Sequence, residues 1–147
     1  MYERLSARTD KVIKLAHQIA REYDQEYVGT EHILLAIMRE GTGIGARVLA
    51  RHGVTNENLR AQVDSLIKKS AEETWVFGRL PGTPHFRNVV ASAIEQAQQL
   101  ESREVCTEHL LLGLLRENGS VAHRALTNLG IHHGDARETV LQLCSED

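Results

Sequence analysis

The chain carries much of its own sequence twice. Thr30-Glu31-His32-Ile33-Leu34-Leu35 recurs 77 residues later as Thr107-Glu108-His109-Leu110-Leu111-Leu112. The register holds without a gap on both sides. Val12, Ala16, Ala20 and Val28 map to Val89, Ala93, Ala97 and Val105, and Arg39-Glu40 maps to Arg116-Glu117. Arg47, Leu49 and Gly53 map to Arg124, Leu126 and Gly130. One register kept over that length is the mark of a tandem duplication. The 147 residues therefore divide into repeat 1 at about 1–69, a linker at about 70–82 and repeat 2 at about 83–147.

Each repeat reads as four helices. Val12, Ala16, Ile19, Ala20 and Tyr23 step by three and four, the spacing of an amphipathic helix. Gly29 breaks the chain, and Thr30 is expected to cap a second helix over Glu31–Arg39. A third covers Ile44–Arg51 and stops at Gly53, and Thr55 or Asn56 caps a fourth whose face is Leu59, Val63, Leu66 and Ile67. In the second repeat Thr83-Pro84 reads as a helix start, followed by the stripe Val90, Ala93, Ile94, Ala97 and Leu100. Thr107 caps the sixth helix, Ser120 the seventh, and Asp135–Cys144 forms the eighth. A four-helix unit of this size is marginal alone, so the halves are expected to share an interface as one pseudo-twofold all-α domain. The linker holds Trp75, Val76, Phe77 and Leu80 and is too apolar to be a free tether, so it is expected to pack against the helices.

Composition narrows the function. The chain is 41% hydrophobic, enough for a core, and only 4% aromatic, so that core is aliphatic. A net charge of −3 with no basic block argues against nucleic-acid binding. No apolar run reaches the length of a membrane span, and the charged N-terminus has no signal core, so a cytoplasmic protein is expected. Two cysteines make no disulfide framework, and Cys144 reads as a small buried apolar residue. Phosphate-loop, zincin and serine-hydrolase motifs are all absent, so no catalytic residue, cofactor or resident metal is expected. Cys106-x-x-His109 has a spacing seen in metal sites and in nucleophile pairs, but no second pair completes it.

The duplicated Thr-Glu-His carries the chemistry. A helix N-terminus offers unpaired N–H groups and a positive dipole end. An acidic residue there is ordinary helix chemistry. The same arrangement also holds a ligand with both charges: a guanidinium on the carboxylate of Glu31 or Glu108, and a phosphate on the helix end. Both readings stand on the residues alone.

Residues 26–49, Glu-Tyr-Val-Gly-Thr-Glu-His-Ile-Leu-Leu-Ala-Ile-Met-Arg-Glu-Gly-Thr-Gly-Ile-Gly-Ala-Arg-Val-Leu, resemble the Clp repeat of Clp/Hsp100 AAA+ unfoldases, most of all the ClpC branch. Val105–Gly130 is similar, as is the opening Met-Tyr-Glu-Arg-Leu-Ser-Ala-Arg. The resemblance implies a non-catalytic module that binds substrates or adaptors for a Clp ATPase, in the same chain or another. In the ClpC branch it further implies binding of phosphorylated arginine, with Glu31 and Glu108 on the guanidinium and Thr30 and Thr107 setting the helix starts. The runner-up is a stand-alone Clp-repeat protein that docks on a Clp ring and regulates it, with Tyr2, Trp75 and Phe77 as the contact. Cys106 stands where the family has glycine and is expected to narrow the second site.

Overall fold

The structure is a computed structural model. It describes residues 5–25, 28–77 and 83–145, with side-chain surroundings for all of these except 68–77 and 83–84. Eight helices follow one another: α1 (Ala7–Glu22), α2 (Thr30–Glu40), α3 (Ile44–Arg51), α4 (Asn56–Phe77), α5 (Thr83–Gln99), α6 (Thr107–Arg116), α7 (Val121–Asn128) and α8 (His133–Ser145). Among the described residues there is no strand. The one extended contact is a parallel bridge between Leu5 and Val105, where Ser6 N–H donates to the Val105 carbonyl at 3.1 Å.

Local chemistry explains most of the boundaries. Ser6 caps α1 by accepting from Thr9 N–H at 3.0 Å, and Ser120 caps α7 by accepting from His123 N–H at 3.1 Å. Thr55 and Asn58 cap α4 reciprocally, at 3.1 and 2.8 Å. Gly53 and Gly130 end α3 and α7 at φ +82° and +84°, a backbone region closed to most side chains. There the N–H of Val54 and of Ile131 reaches back to Leu49 and Leu126.

Four sequence expectations change, the threonine caps among them. The helix over 56 runs through Phe77, into the segment expected as linker: Ala71, Glu72 and Glu73 are strong helix formers and no breaker intervenes before Gly78. The packing expected of Trp75, Phe77 and Leu80 falls outside the described side chains, and Tyr2 lies outside the described residues. In α5 the fully buried position is Val89, not its half-buried neighbour Val90, because Val89 continues the Ala93–Ala97 stripe one turn earlier. Cys144 is exposed: it lies one position beyond Leu143, which takes the inward place on α8.

The core is a single cluster drawn from every helix, with Val12, Ile33, Leu49, Leu59, Val89, Leu111, Leu126 and Val140 all buried. Fully burying each large aliphatic residue contributes about 1.5–3 kcal/mol. Within the repeats α1 packs on α2 and α5 on α6; across them α2 meets α6 and α7, α3 meets α6 and α8, and α4 meets α7. The two repeats are thus one pseudo-twofold domain, with α2 and α6 nearest the axis.

The Thr-Glu-His threonines do not cap their own helices. Gly29 and Cys106 occupy the N-cap positions, and Thr30 and Thr107 are the first helical residues. The hydroxyls instead cross between repeats. Thr30 accepts from Ala122 N–H at 3.2 Å and Thr107 accepts from Gly45 N–H at 3.1 Å. Both donors are orphan groups in the first turn of a helix of the other repeat. Gly43 and Gly45 make room for this: a Cβ on Gly43 would collide with the Thr107 hydroxyl, and one on Gly45 would stand 2.9 Å from the Thr107 carbonyl oxygen.

The histidines supply the cap that the threonines do not. His32 and His109 each accept, through Nδ1, the N–H of the N-cap residue, Gly29 and Cys106, both at 2.8 Å. Their rings are buried. Desolvation depresses both to about 4 from the usual 6.5.

Two outcomes follow. The unfolded chain protonates these imidazoles near 6.5 and the folded chain only near 4. Their contribution to stability is therefore complete above pH 6.5 and lost as pH falls toward 4. Urea denaturation at pH 7.5, 6.0 and 5.0 is expected to show this decline, and midpoints that do not move would contradict it. Gly45→Ala is expected to cost about 1–3 kcal/mol by overpacking against Thr107. An unchanged urea midpoint would show that the repeats are not held this closely.

Candidate functional site

Three helices begin at one cleft between the repeats. It encloses about 340 Å³ and is lined by Ser6, Ala7 and Arg8 at the start of α1, Ile44 at the start of α3, and Cys106, Thr107 and Glu108 at the start of α6, with Glu104 beside them. The geometry follows from the duplication. The Thr107–Gly45 bond draws the α3 and α6 N-termini together, and the Leu5–Val105 bridge lays the α1 N-terminus beside them.

The cleft combines opposite charges. Three helix starts point positive dipole ends at it, and Arg8 adds a guanidinium. Arg8 is half exposed and makes a loose ion pair with Glu40 at 3.6 Å. Facing these is Glu108, only 7% exposed. Desolvation raises its pKa, offset in part by its own backbone N–H and by Arg8. A carboxyl held this way gains most from an arriving cation, which restores its ionised form.

Glu31, the matching residue of repeat 1, is 4% exposed in the first turn of α2. In the 77-residue register three of the residues lining the Glu108 cleft, Ser6, Ala7 and Glu104, correspond to positions 83, 84 and 27, which lie outside the described side chains. The cleft formed by described residues is the one at Glu108, the site that Cys106 was expected to narrow. Cys106 lines this cleft without closing it, and its thiol is directed to the Glu104 carbonyl at 3.7 Å. Thr30 and Thr107 hold the frame, each spending its hydroxyl on the other repeat.

Cys106, Glu108 and His109 bring their donor atoms within 4.8 Å of one another. The trio is poorly prepared for a metal. Nδ1 of His109 already accepts the Cys106 N–H, and burial with Glu108 and Glu104 nearby pushes the thiol up to about 11. The same protonated thiol is a poor nucleophile.

Arg8, Ser6, Ile44 and Glu104 were not singled out from the sequence. In the structure Arg8 pairs with Glu40, and His85, 77 residues on, pairs with Glu117 at 2.6 Å, so a basic residue in the first turn of each repeat's first helix meets the glutamate at the end of that repeat's Thr-Glu-His helix.

Residues 4–129 and 81–146 match the family described as Clp repeat (R) N-terminal domain. The chain is 40% identical over 147 residues to the chaperone protein ClpC1, chloroplastic, of Arabidopsis thaliana, covering 100% of this chain and 16% of that protein. It is 40% identical over 143 residues to the negative regulator of genetic competence ClpC/MecB of Bacillus subtilis, covering 97% of this chain and 17% of that protein. The chain thus spans about a sixth of the length of these relatives. In fold it is similar to the N-terminal domain of ClpD from Arabidopsis thaliana, with a TM-score of 0.73 at 20% identity over 99% of this chain and 97% of that one. The N-terminal domain of Hsp104 from Candida albicans gives a TM-score of 0.72 at 15% identity, over 99% and 94%. Matched by the family model over nearly its whole length, this chain belongs to the Clp repeat N-terminal domain family.

Proposed function

We propose that the chain is a non-catalytic docking module that recruits protein substrates or adaptors to a Clp AAA+ unfoldase, carried in the same polypeptide or on another. We further propose that the cleft at Glu108, and its counterpart at Glu31, take phosphorylated arginine side chains. The observation behind this reading is the opposition of charges in one cleft: three helix N-termini and Arg8 on one side, a desolvated carboxyl on the other. A phosphoarginine is a guanidinium joined to a phosphate. The carboxylate takes the guanidinium with paired hydrogen bonds, and the helix ends take the phosphate oxygens. A volume of about 340 Å³ suits one such side chain.

Glu31→Gln with Glu108→Gln keeps shape and removes both charges. Calorimetry with an arginine-phosphorylated protein is expected to show at least tenfold weaker binding, about 1.4 kcal/mol or more, with unchanged helicity by circular dichroism. Equal affinity in the double variant would overturn the reading. The non-catalytic part has its own test. Iodoacetamide at pH 8 is expected to label exposed Cys144 well before Cys106, whose thiol stays protonated there. Preferential labelling of Cys106 would reopen an enzymatic role for it.

A further inference from the structure

The repeats differ in how they treat one pair of arginines. In repeat 1, Arg39 at the end of α2 is held by both carboxylate oxygens of Glu22, each at 3.0 Å. Arg60 on α4 lies 5.6 Å from the centre of the Tyr23 ring, and Tyr23 donates to Asp64 at 2.8 Å. Arg39 and Arg60 line a shallow cleft of about 260 Å³ with Leu35 and Asn56. Both guanidiniums are thus engaged by repeat 1 itself.

Repeat 2 has both arginines but neither of the two groups that engage them, nor the carboxylate that holds Tyr23. Arg116 and Arg137 stand at the positions of Arg39 and Arg60, while Glu22, Tyr23 and Asp64 become Gln99, Leu100 and Leu141. Gln99 turns its amide to Glu95 at 3.3 Å. Among the described residues neither Arg116 nor Arg137 has an ion-pair partner; Arg116 is exposed and Arg137 half-buried. His133, Arg137 and Leu141 follow at four-residue intervals along one face of α8. Leu141 is 46% exposed, and it and Leu5 are the only exposed large hydrophobic residues described. Behind them the buried Gln96 accepts from His133 Nε2–H through Oε1 at 3.3 Å, and its own Nε2 has no hydrogen-bond partner among the described residues.

A cation at a helix C-terminus is favourable in itself and accounts for Arg116. It does not account for Arg137 in the middle of α8, nor for an exposed leucine one turn beyond it. We propose that this face of repeat 2 docks an acidic, partly apolar segment of a protein partner. A partner carboxylate takes the place on Arg116 that Glu22 fills on Arg39, and a neighbouring apolar side chain covers Leu100 and Leu141. Repeat 1 supplies the precedent within the same molecule: the ligand it holds on the equivalent arginine is a carboxylate. The face is separate from the Glu108 cleft and does not depend on what that cleft binds.

The test uses two synthetic peptides, acetyl-Ala-Leu-Glu-Ala-Leu-Glu-Ala-amide and its counterpart with glutamine for glutamate, titrated while the arginine Nε–H and Leu141 amide resonances are followed by NMR. The acidic peptide is expected to shift Arg116, Arg137 and Leu141 saturably, and the glutamine peptide at least fivefold more weakly. Gln99→Glu, at an exposed position, restores the internal carboxylate and is expected to weaken acidic-peptide binding at least fivefold; Arg116→Gln with Arg137→Gln does the same. Glu108→Gln leaves this binding unchanged, which separates it from the fate of the phosphoarginine reading. Equal binding of the two peptides, no saturable shift, undiminished binding by Gln99→Glu, or a stronger response to inorganic phosphate or a single-stranded oligonucleotide would each overturn the proposal.

Discussion

Two hydrogen bonds between the repeats govern the arrangement of the rest. The hydroxyls of Thr30 and Thr107 each satisfy a first-turn N–H of a helix in the opposite repeat. A buried N–H left without a partner costs about 1–3 kcal/mol, so the contact is worth most through what its loss would leave exposed. α3 has Gly43 at its N-cap and no side-chain cap of its own, so Thr107 supplies the missing acceptor from the other repeat. α7 has Ser120 as well as Thr30. The second half of the domain is therefore inserted into the first most tightly at Gly43 and Gly45, where any side chain would meet Thr107.

That exchange of caps also fixes where helix N-termini converge. A helix N-terminus alone is a weak feature of any surface. Here the bond from Thr107 to Gly45 holds α6 against α3, and the bridge from Leu5 to Val105 adds α1. Three dipole ends then share a single cleft with one buried carboxyl. The histidine caps free the threonines for this task. With Nδ1 of His32 and His109 serving the N-cap N–H, and the N–H of the same two residues reaching the Gly29 and Cys106 carbonyls at 3.1 and 3.0 Å, no hydroxyl is needed at home. The Thr-Glu-His triplet thus divides its labour: one residue joins the repeats, one faces the cleft and one closes its own helix.

How much of this the sequence discloses depends on the distance over which each contact acts. The helices were legible because their signals are local: apolar residues at three and four, serine caps, glycines at C-terminal turns. Ser6, Thr55 and Ser120 act three residues from where they stand. The threonines were misassigned as caps of their own helices because their true partners lie 62 and 92 residues away. The extension of α4 is masked by the apolar cluster Trp75, Val76 and Phe77, which reads as a packed linker, although Ala71-Glu72-Glu73 favour helix irrespective of what they touch. Glu31 and Glu108 were legible as first-turn acids. Arg8 was not, since nothing in a lone arginine near the N-terminus tells that it meets α3 and α6.

Duplication explains the asymmetry as well as the symmetry. Backbone packing at the axis tolerates little change, and Thr-Glu-His sits there in both copies. The outer faces carry no such constraint, so their charges diverged while the helices did not. In repeat 1 the pair Arg39 and Arg60 is satisfied by Glu22 and Tyr23 from α1 and its end. In repeat 2 the same backbone presents Arg116 and Arg137 with glutamine and leucine instead. An exposed arginine costs the fold little, because water screens it and surface ion pairs are worth only about 0–1 kcal/mol. The absence of an internal carboxylate therefore costs repeat 2 little stability, and it leaves open a pair of charges that repeat 1 closes. A duplicated domain can in this way keep one frame and display two different surfaces, one neutralised from within and one left for a partner to neutralise.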